Sequence, residues 1–147
     1  MNLSQLIAQE PNEANLQSWL RKVPYAAYLG IGAEVRGEDV LFILPRDGKL
    51  VGNPSPAIIH GGVIGAFMEL AGTFHLVAKM DKPVLPKIID FSLDYLRPSL
   101  LRDTYARCEL TRQGRFIANI SICAWQQRES KPTAIARAHF LIPGDEK

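Results

Sequence analysis

Two cysteines in 147 residues are too few for a disulfide framework, and neither Cys108 nor Cys123 has a His or a further Cys at metal-ligand spacing. Both fall in alternating stretches and read as reduced core thiols, so no metal and no cofactor are expected. Positive charge is thin as well. Lys and Arg number 17 against 15 Asp and Glu, a formal +2, with no cationic block and no aromatic-basic interleaving. That pattern excludes nucleic acid as an expected partner. The opening residues Met1 to Ile7 carry neither a positive n-region nor a long apolar h-region, so no secretory signal is read there and the cytoplasm is the expected location. Internal repeats, low-complexity segments and linkers are also lacking. A single domain over residues 1–147 is expected, with 47% hydrophobic content enough for a sizeable core.

Only one apolar run is long. As a helix, Gly61 to Ala78 would extend roughly 27 Å at 1.5 Å per residue, which is close to a membrane span. Glu69 and His75 within it argue instead for a helix wrapped by a sheet in a soluble protein. The strands for that sheet are present. Leu29 to Arg36 and Asp39 to Leu44 flank Gly37-Glu38 as a hairpin, followed by the Asp47-Gly48 turn and a proline-containing loop over Gly52 to Ile59. After Lys82-Pro83 and Leu85-Pro86, the residues Ile89, Phe91, Leu93 and Tyr95 alternate with Ile88, Asp90, Ser92 and Asp94 at period two, the mark of a strand with one apolar face. Thr104 to Thr111, Phe116 to Trp125 and Thr133 to Ile142 continue as three more strands joined by hairpins. Ahead of all this, Leu16, Trp19, Leu20 and Val23 recur at helical spacing behind a possible Asn12 cap, which predicts a short N-terminal helix packed on the domain. The fold class is therefore α+β: a curved antiparallel sheet around one long central helix.

The helix opens with His60-Gly61-Gly62, and nine positions after the His stands Glu69, a carboxylate in an apolar stretch with no Lys or Arg within four residues. Two glycines at a helix start let another molecule approach the backbone, and their N–H groups lie where the partial positive charge favours an oxyanion. A carboxylate in such surroundings is costly without a salt bridge or a chemical use.

This segment resembles the His-Gly-Gly loop and central helix of the hotdog-fold thioesterases, in particular the group named after the phenylacetic-acid-pathway thioesterase, which places an Asp or Glu nine residues after the His. The similarity continues through Lys87 to Pro98 and covers roughly Tyr28 to Ile142. It implies an acyl-CoA thioesterase in which the Gly61 backbone N–H, helped by Gly62, polarises the thioester carbonyl. Glu69, from the neighbouring subunit's helix, attacks that carbonyl or deprotonates water; both roles need an ionised carboxylate and stay open. It also implies a homo-oligomer, a dimer or a dimer of dimers, as does a single sheet too small to enclose both flanks of its helix.

Around this pair, the resemblance gives His60 the task of orienting loop and substrate rather than taking the proton. Thr73, one turn after Glu69, either bonds the carboxylate or bonds back to the Glu69 carbonyl. Asn53 resembles the loop amide that positions water or thioester in related enzymes, but it stands seven residues before His60 where the family usually has six. Either the loop carries an extra residue or Asn53 makes an Asx-turn ahead of Pro54. Arg112 and Arg115 are candidate cations for nucleotide phosphates, with Arg97 a further candidate, against the reading of solvated surface charges. His75 and His139 read as packing or surface residues. Two other functions compete: a non-catalytic acyl-CoA-binding hotdog protein, which would have no need of Glu69, and a hotdog hydratase or dehydratase, whose His-Phe-Pro-Gly type loop is not the His-Gly-Gly found here.

Overall fold

Alternation of small and large apolar residues decides where the central helix sits. The computed structural model describes residues 1–144, in the order α1 (Leu3–Ile7), α2 (Glu13–Lys22), α3 (Pro24–Leu29), β1 (Gly32–Arg36), β2 (Asp39–Leu44), β3 (Val51–Pro54), β4 (Ala57–Ile59), α4 (Gly61–Lys79), β5 (Lys87–Tyr95), β6 (Thr104–Gln113), β7 (Ile117–Trp125) and β8 (Ala134–Leu141). Six strands make one antiparallel sheet ordered β1-β2-β6-β7-β8-β5, and β3 and β4 pair separately. On β7 the inward set is Ala118, Ile120, Ile122 and Ala124, facing Phe140, Ala138, Ala136 and Ala134 of β8. These short side chains let α4 come close. At Gly72 an added Cβ would lie 3.0 Å from Ile122 Cδ1, so the helix meets the sheet there at backbone distance.

Ile64, Phe67, Met68, Ala71, Phe74, Leu76 and Val77 of α4 are buried against the sheet and the N-terminal helices. Burying each of the larger ones contributes about 1.5–3 kcal/mol relative to exposure. By length and apolarity α4 could cross a membrane, and half of it is buried inside the fold. The sequence-derived curved sheet around one helix is thus the observed architecture.

Local differences have local causes. Leu29 to Ile31 were expected to begin the first strand; instead Leu29 closes α3, a helix not anticipated, with Pro24 at its first turn and Gly30 at φ 74° as its left-handed cap. The expected loop Gly52 to Ile59 is the β3–β4 hairpin. Asn12 does cap α2, but the residues before it contribute more than expected. Leu6 and Ile7 of α1 are buried, Trp19 donates from Nε1 to the Leu6 carbonyl at 2.7 Å, and its ring lies 6.4 Å from that of Phe74 on α4.

The sheet's two edges differ. On β1, Gln17 Nε2 donates to the Ala33 carbonyl at 2.8 Å and the Val35 N–H donates to Glu13 at 3.1 Å, so α2 side chains occupy its free backbone groups. On the other edge β5 pairs with β8 alone. Ile89 and Tyr95 on it are more than half exposed.

His75 is 5% exposed, and its Nδ1 has no hydrogen-bond partner among the described residues. Desolvation, reinforced by Lys79 and partly opposed by Asp39, lowers its pKa to about 4 from 6.5. The unfolded chain therefore binds a proton on this imidazole near pH 6.5 that the folded chain refuses until near pH 4. The associated stability is fully present above pH 6.5 and is lost as the pH falls toward 4, in all about 3 kcal/mol. Urea titrations between these limits should show that loss in the native protein and a much flatter profile in His75→Leu.

Candidate active site

The β3–β4 hairpin delivers the chain to His60 in a fixed position. The His60 N–H donates to the Leu50 carbonyl at 2.8 Å, and the preceding Ile59 N–H donates to the Ser99 carbonyl at 2.8 Å. Gly52 packs directly on His60: an added Cβ would lie 2.9 Å from its Cα, a contact no side chain could make without moving the backbone. The pairing shifts by one residue between Val51 and Asn53, which makes Gly52 the extra residue of a bulge. Asn53 accepts the Ser55 N–H at 3.2 Å, an Asx-turn. The Asx-turn is thus the reading of Asn53 that the hairpin shows.

An α-helix leaves its first four N–H groups without intrahelical acceptors. His60, the N-cap of α4 with φ −56° and ψ 131°, satisfies those of Gly62 and Val63, and its own goes to Leu50. Its Nδ1 accepts the Gly62 N–H at 2.8 Å, and its carbonyl accepts Val63 at 2.9 Å and Ile64 at 3.3 Å. Nδ1 accepts the Gly62 bond in the tautomer that carries its ring hydrogen on Nε2. The Gly62 N–H is thus taken by His60 rather than offered to a substrate. The Gly61 N–H has no acceptor among the described residues and stands alone at the positive end of the helix.

Beside it opens a cavity of about 330 Å³ lined by Ile58, Ile59, Gly61, Ile64, Tyr95, Arg97, Pro98 and Ser99. Its walls are mainly apolar, with Arg97 the one cation. Tyr95 reaches over the helix start and its hydroxyl donates to the Gly61 carbonyl at 2.7 Å. Neither Tyr95 nor Gly52 was singled out from sequence. The strand pattern puts Tyr95 on the inner face but carries no signal for a contact 34 residues away.

Glu69 lies two turns along α4, half-buried, with no hydrogen bond or ion pair to its carboxylate among the described residues. The Thr73 hydroxyl donates to the Glu69 backbone carbonyl at 2.9 Å and not to the carboxylate. Gly62, Ala66, Glu69 and Thr73 share one flank of α4 that the chain's own sheet leaves partly open. Eight residues of helix separate Gly61 from Glu69, about 12 Å along the axis. A single chain therefore cannot bring both to one carbonyl carbon.

Arg112 and Arg115 line a separate cavity of about 320 Å³ with Phe116, over whose ring the Arg115 guanidinium sits at 5.1 Å. Strand register sets them apart from Gly61: Gln113 pairs with Ala118, whose row runs on to Phe140 and Ile88, whereas Tyr95 aligns with Ala134. The seven residues between those rows correspond to roughly 23 Å. Within one chain these arginines are not at the mouth of the Gly61 cavity; Arg97 is. Cys108 is buried with its thiol pushed well above the usual range by desolvation, and Cys123 is half-buried on the outer face of the sheet with its pKa also raised. His139 faces Asp90 at 3.5 Å on that outer face.

A helix-start donor and a helix-borne carboxylate inside a wrapped sheet define the hotdog class of thioester hydrolase. The signature of the thioesterase superfamily matches residues 57–133, from β4 to the approach to β8, and the chain belongs to that superfamily. A protein of known structure from Chromobacterium violaceum is 38% identical, covers 97% of this chain and 99% of its own, and superposes with a TM-score of 0.78. A candidate esterase of Halobacterium salinarum is 26% identical over 142 residues, 90% of this chain and 93% of its own. The structure of a thioesterase from Haemophilus influenzae shares the fold at 24% identity, with 88% and 89% coverage and a TM-score of 0.77.

If His60 serves as a cap, then His60→Ala should cost about 0.5–2 kcal/mol of stability and lower turnover. His60→Asn, which restores a capping acceptor but no base, should recover most of both. Thermal melts and thiol-release rates on the two variants would show a proton-transfer role instead if Asn proved as inactive as Ala.

Proposed function

We propose that this chain is a cytoplasmic acyl-CoA thioesterase of the phenylacetic-acid-pathway group, acting as a homodimer or a dimer of dimers. The observation that carries the reading is the single unclaimed N–H of Gly61 beside a largely apolar cavity, on the same helix as an unpaired Glu69 carboxylate. The Gly61 N–H would donate to the thioester oxygen as negative charge develops on it, the kind of donor whose removal costs roughly 10²–10³ in rate. Glu69 would either bond to the carbonyl carbon or take a proton from the water that does. In each case the C–S bond breaks and the CoA sulfur leaves as thiolate and is protonated. On the water route the acyl group departs directly as a carboxylate, and on the covalent route it departs after water hydrolyses the Glu69–acyl anhydride.

The separation along α4 supports a site in which the two groups come from different chains. The unpaired β5 edge supports this arrangement. A second copy added antiparallel along β5 runs every element the other way, which carries the partner's Glu69 toward Gly61 and the partner's β6–β7 hairpin, with its arginines, to the same end of the sheet. Phosphate contacts from that hairpin would then complement Arg97.

Pro is tolerated at the first helical position, and His60 already has the extended backbone that a following Pro requires. Gly61→Pro therefore deletes the N–H with little other change, and Gly61→Ala controls for the new Cβ, which would lie 3.1 Å from the Tyr95 hydroxyl. We expect Gly61→Pro to fall roughly 10²-fold or more below Gly61→Ala in kcat on acyl-CoA esters. Glu69→Gln should lose activity by about 10²–10⁴-fold without lowering the melting temperature. Neither variant is active alone, yet reassociating equal amounts of Gly61→Pro and Glu69→Gln should restore about a quarter of the wild-type sites, because half the dimers are mixed and each holds one intact pair. No recovery on mixing would refute the shared site.

A further inference from the structure

We propose that Tyr95 is a positioning residue that aims the Gly61 N–H, acting as one jaw of a clamp on the Gly61–Gly62 peptide. This rests on the thioesterase reading above and adds a group outside the two reacting residues. The peptide between Gly61 and Gly62 is held at both ends: its carbonyl accepts the Tyr95 hydroxyl at 2.7 Å and its N–H donates to His60 Nδ1 at 2.8 Å. The peptide on the other side of Gly61 is pinned through the His60 carbonyl by Val63 and Ile64.

The need for a clamp follows from the residues themselves. Consecutive glycines at a helix start have the greatest backbone freedom of any pair, and the first turn is where helices fray. An oxyanion donor, however, contributes fully only when it stands within a few tenths of an ångström of its best position. Side-chain packing cannot restrain Gly61, which has no side chain, so the restraint must come from groups that grip the backbone. The Tyr95 ring fills the space a Cβ would take, with Oη 3.1 Å and Cζ 3.2 Å from that point. Donation into the carbonyl also polarises the peptide, which strengthens the N–H bond to His60 on its far side. The strand end that carries Tyr95 is itself anchored, since Leu96 N–H donates to the Thr133 carbonyl at 2.9 Å.

The test is Tyr95→Phe, which removes one oxygen and keeps the ring. In thiol-release assays on acyl-CoA we expect kcat to fall about tenfold with KM within about twofold, the loss of one neutral hydrogen bond felt in the transition state. Amide exchange at Gly62 should be faster in the variant. In a Gly61→Pro background, where no N–H remains to aim, Tyr95→Phe should have no further effect on kcat. Unchanged kcat, unchanged Gly62 exchange, or the same loss in both backgrounds would each overturn the clamp. A wild-type protein that released no thiol from any acyl-CoA would instead sink the thioesterase reading, and Gly62 exchange would then report on the clamp independently of activity.

Discussion

Everything at the helix start depends on one shortage: four backbone donors arrive at the beginning of α4 and one residue is placed to receive them. His60 sends its own N–H to the Leu50 carbonyl, takes those of Gly62 and Val63 on its ring nitrogen and its carbonyl, and leaves that of Gly61. A Ser or Asp at the same position would also cap, yet the imidazole does so while filling the space beside Gly52. The cap and the hairpin that carries it are therefore one construction. The register shift at Gly52, the Leu50 contact and the Ser99 contact all serve to place a single ring.

The same economy governs the interior. Alanine at Ala106, Ala118, Ala124, Ala134, Ala136 and Ala138 gives the sheet a shallow inner floor, and glycine at position 72 gives the helix a flat underside. Phe42, Phe67, Phe74, Phe140 and Trp19 are the largest side chains buried in that interior. The close approach at Gly72, with Ile122 and Phe140 beneath it, seats α4 on the sheet.

The alternation of the three later strands was legible because burial on one face imposes a period of two, and their ends differ from expectation by only a residue or two. On β5, by contrast, a bulge between Ile88 and Asp90 leaves Ile89 exposed and puts Ile88 with Phe91 and Leu93 against the core. The central helix was legible from its length. His60, Gly61 and Glu69 were recognisable by spacing, but the division of labour among neighbouring N–H groups was not, since it depends on which way one imidazole turns. Tyr95 and Gly52 escaped notice because their roles are contacts across 34 and 8 residues, and nothing local distinguishes a strand tyrosine that packs from one that grips. The N-terminal helices α1 and α3 are too short for periodicity to reveal. Their capping residues Asn2 and Gly30 were the signals available.

The two side chains of α2 that occupy β1 bear on size as well as stability. Two chains joined at β5 would still present a β1 at each extremity, and a bare strand there could recruit a third chain, then a fourth, into an open-ended ribbon. Glu13 and Gln17 remove that option by bonding the Val35 N–H and the Ala33 carbonyl. The side chains of α2 thereby oppose the addition of a further strand at β1.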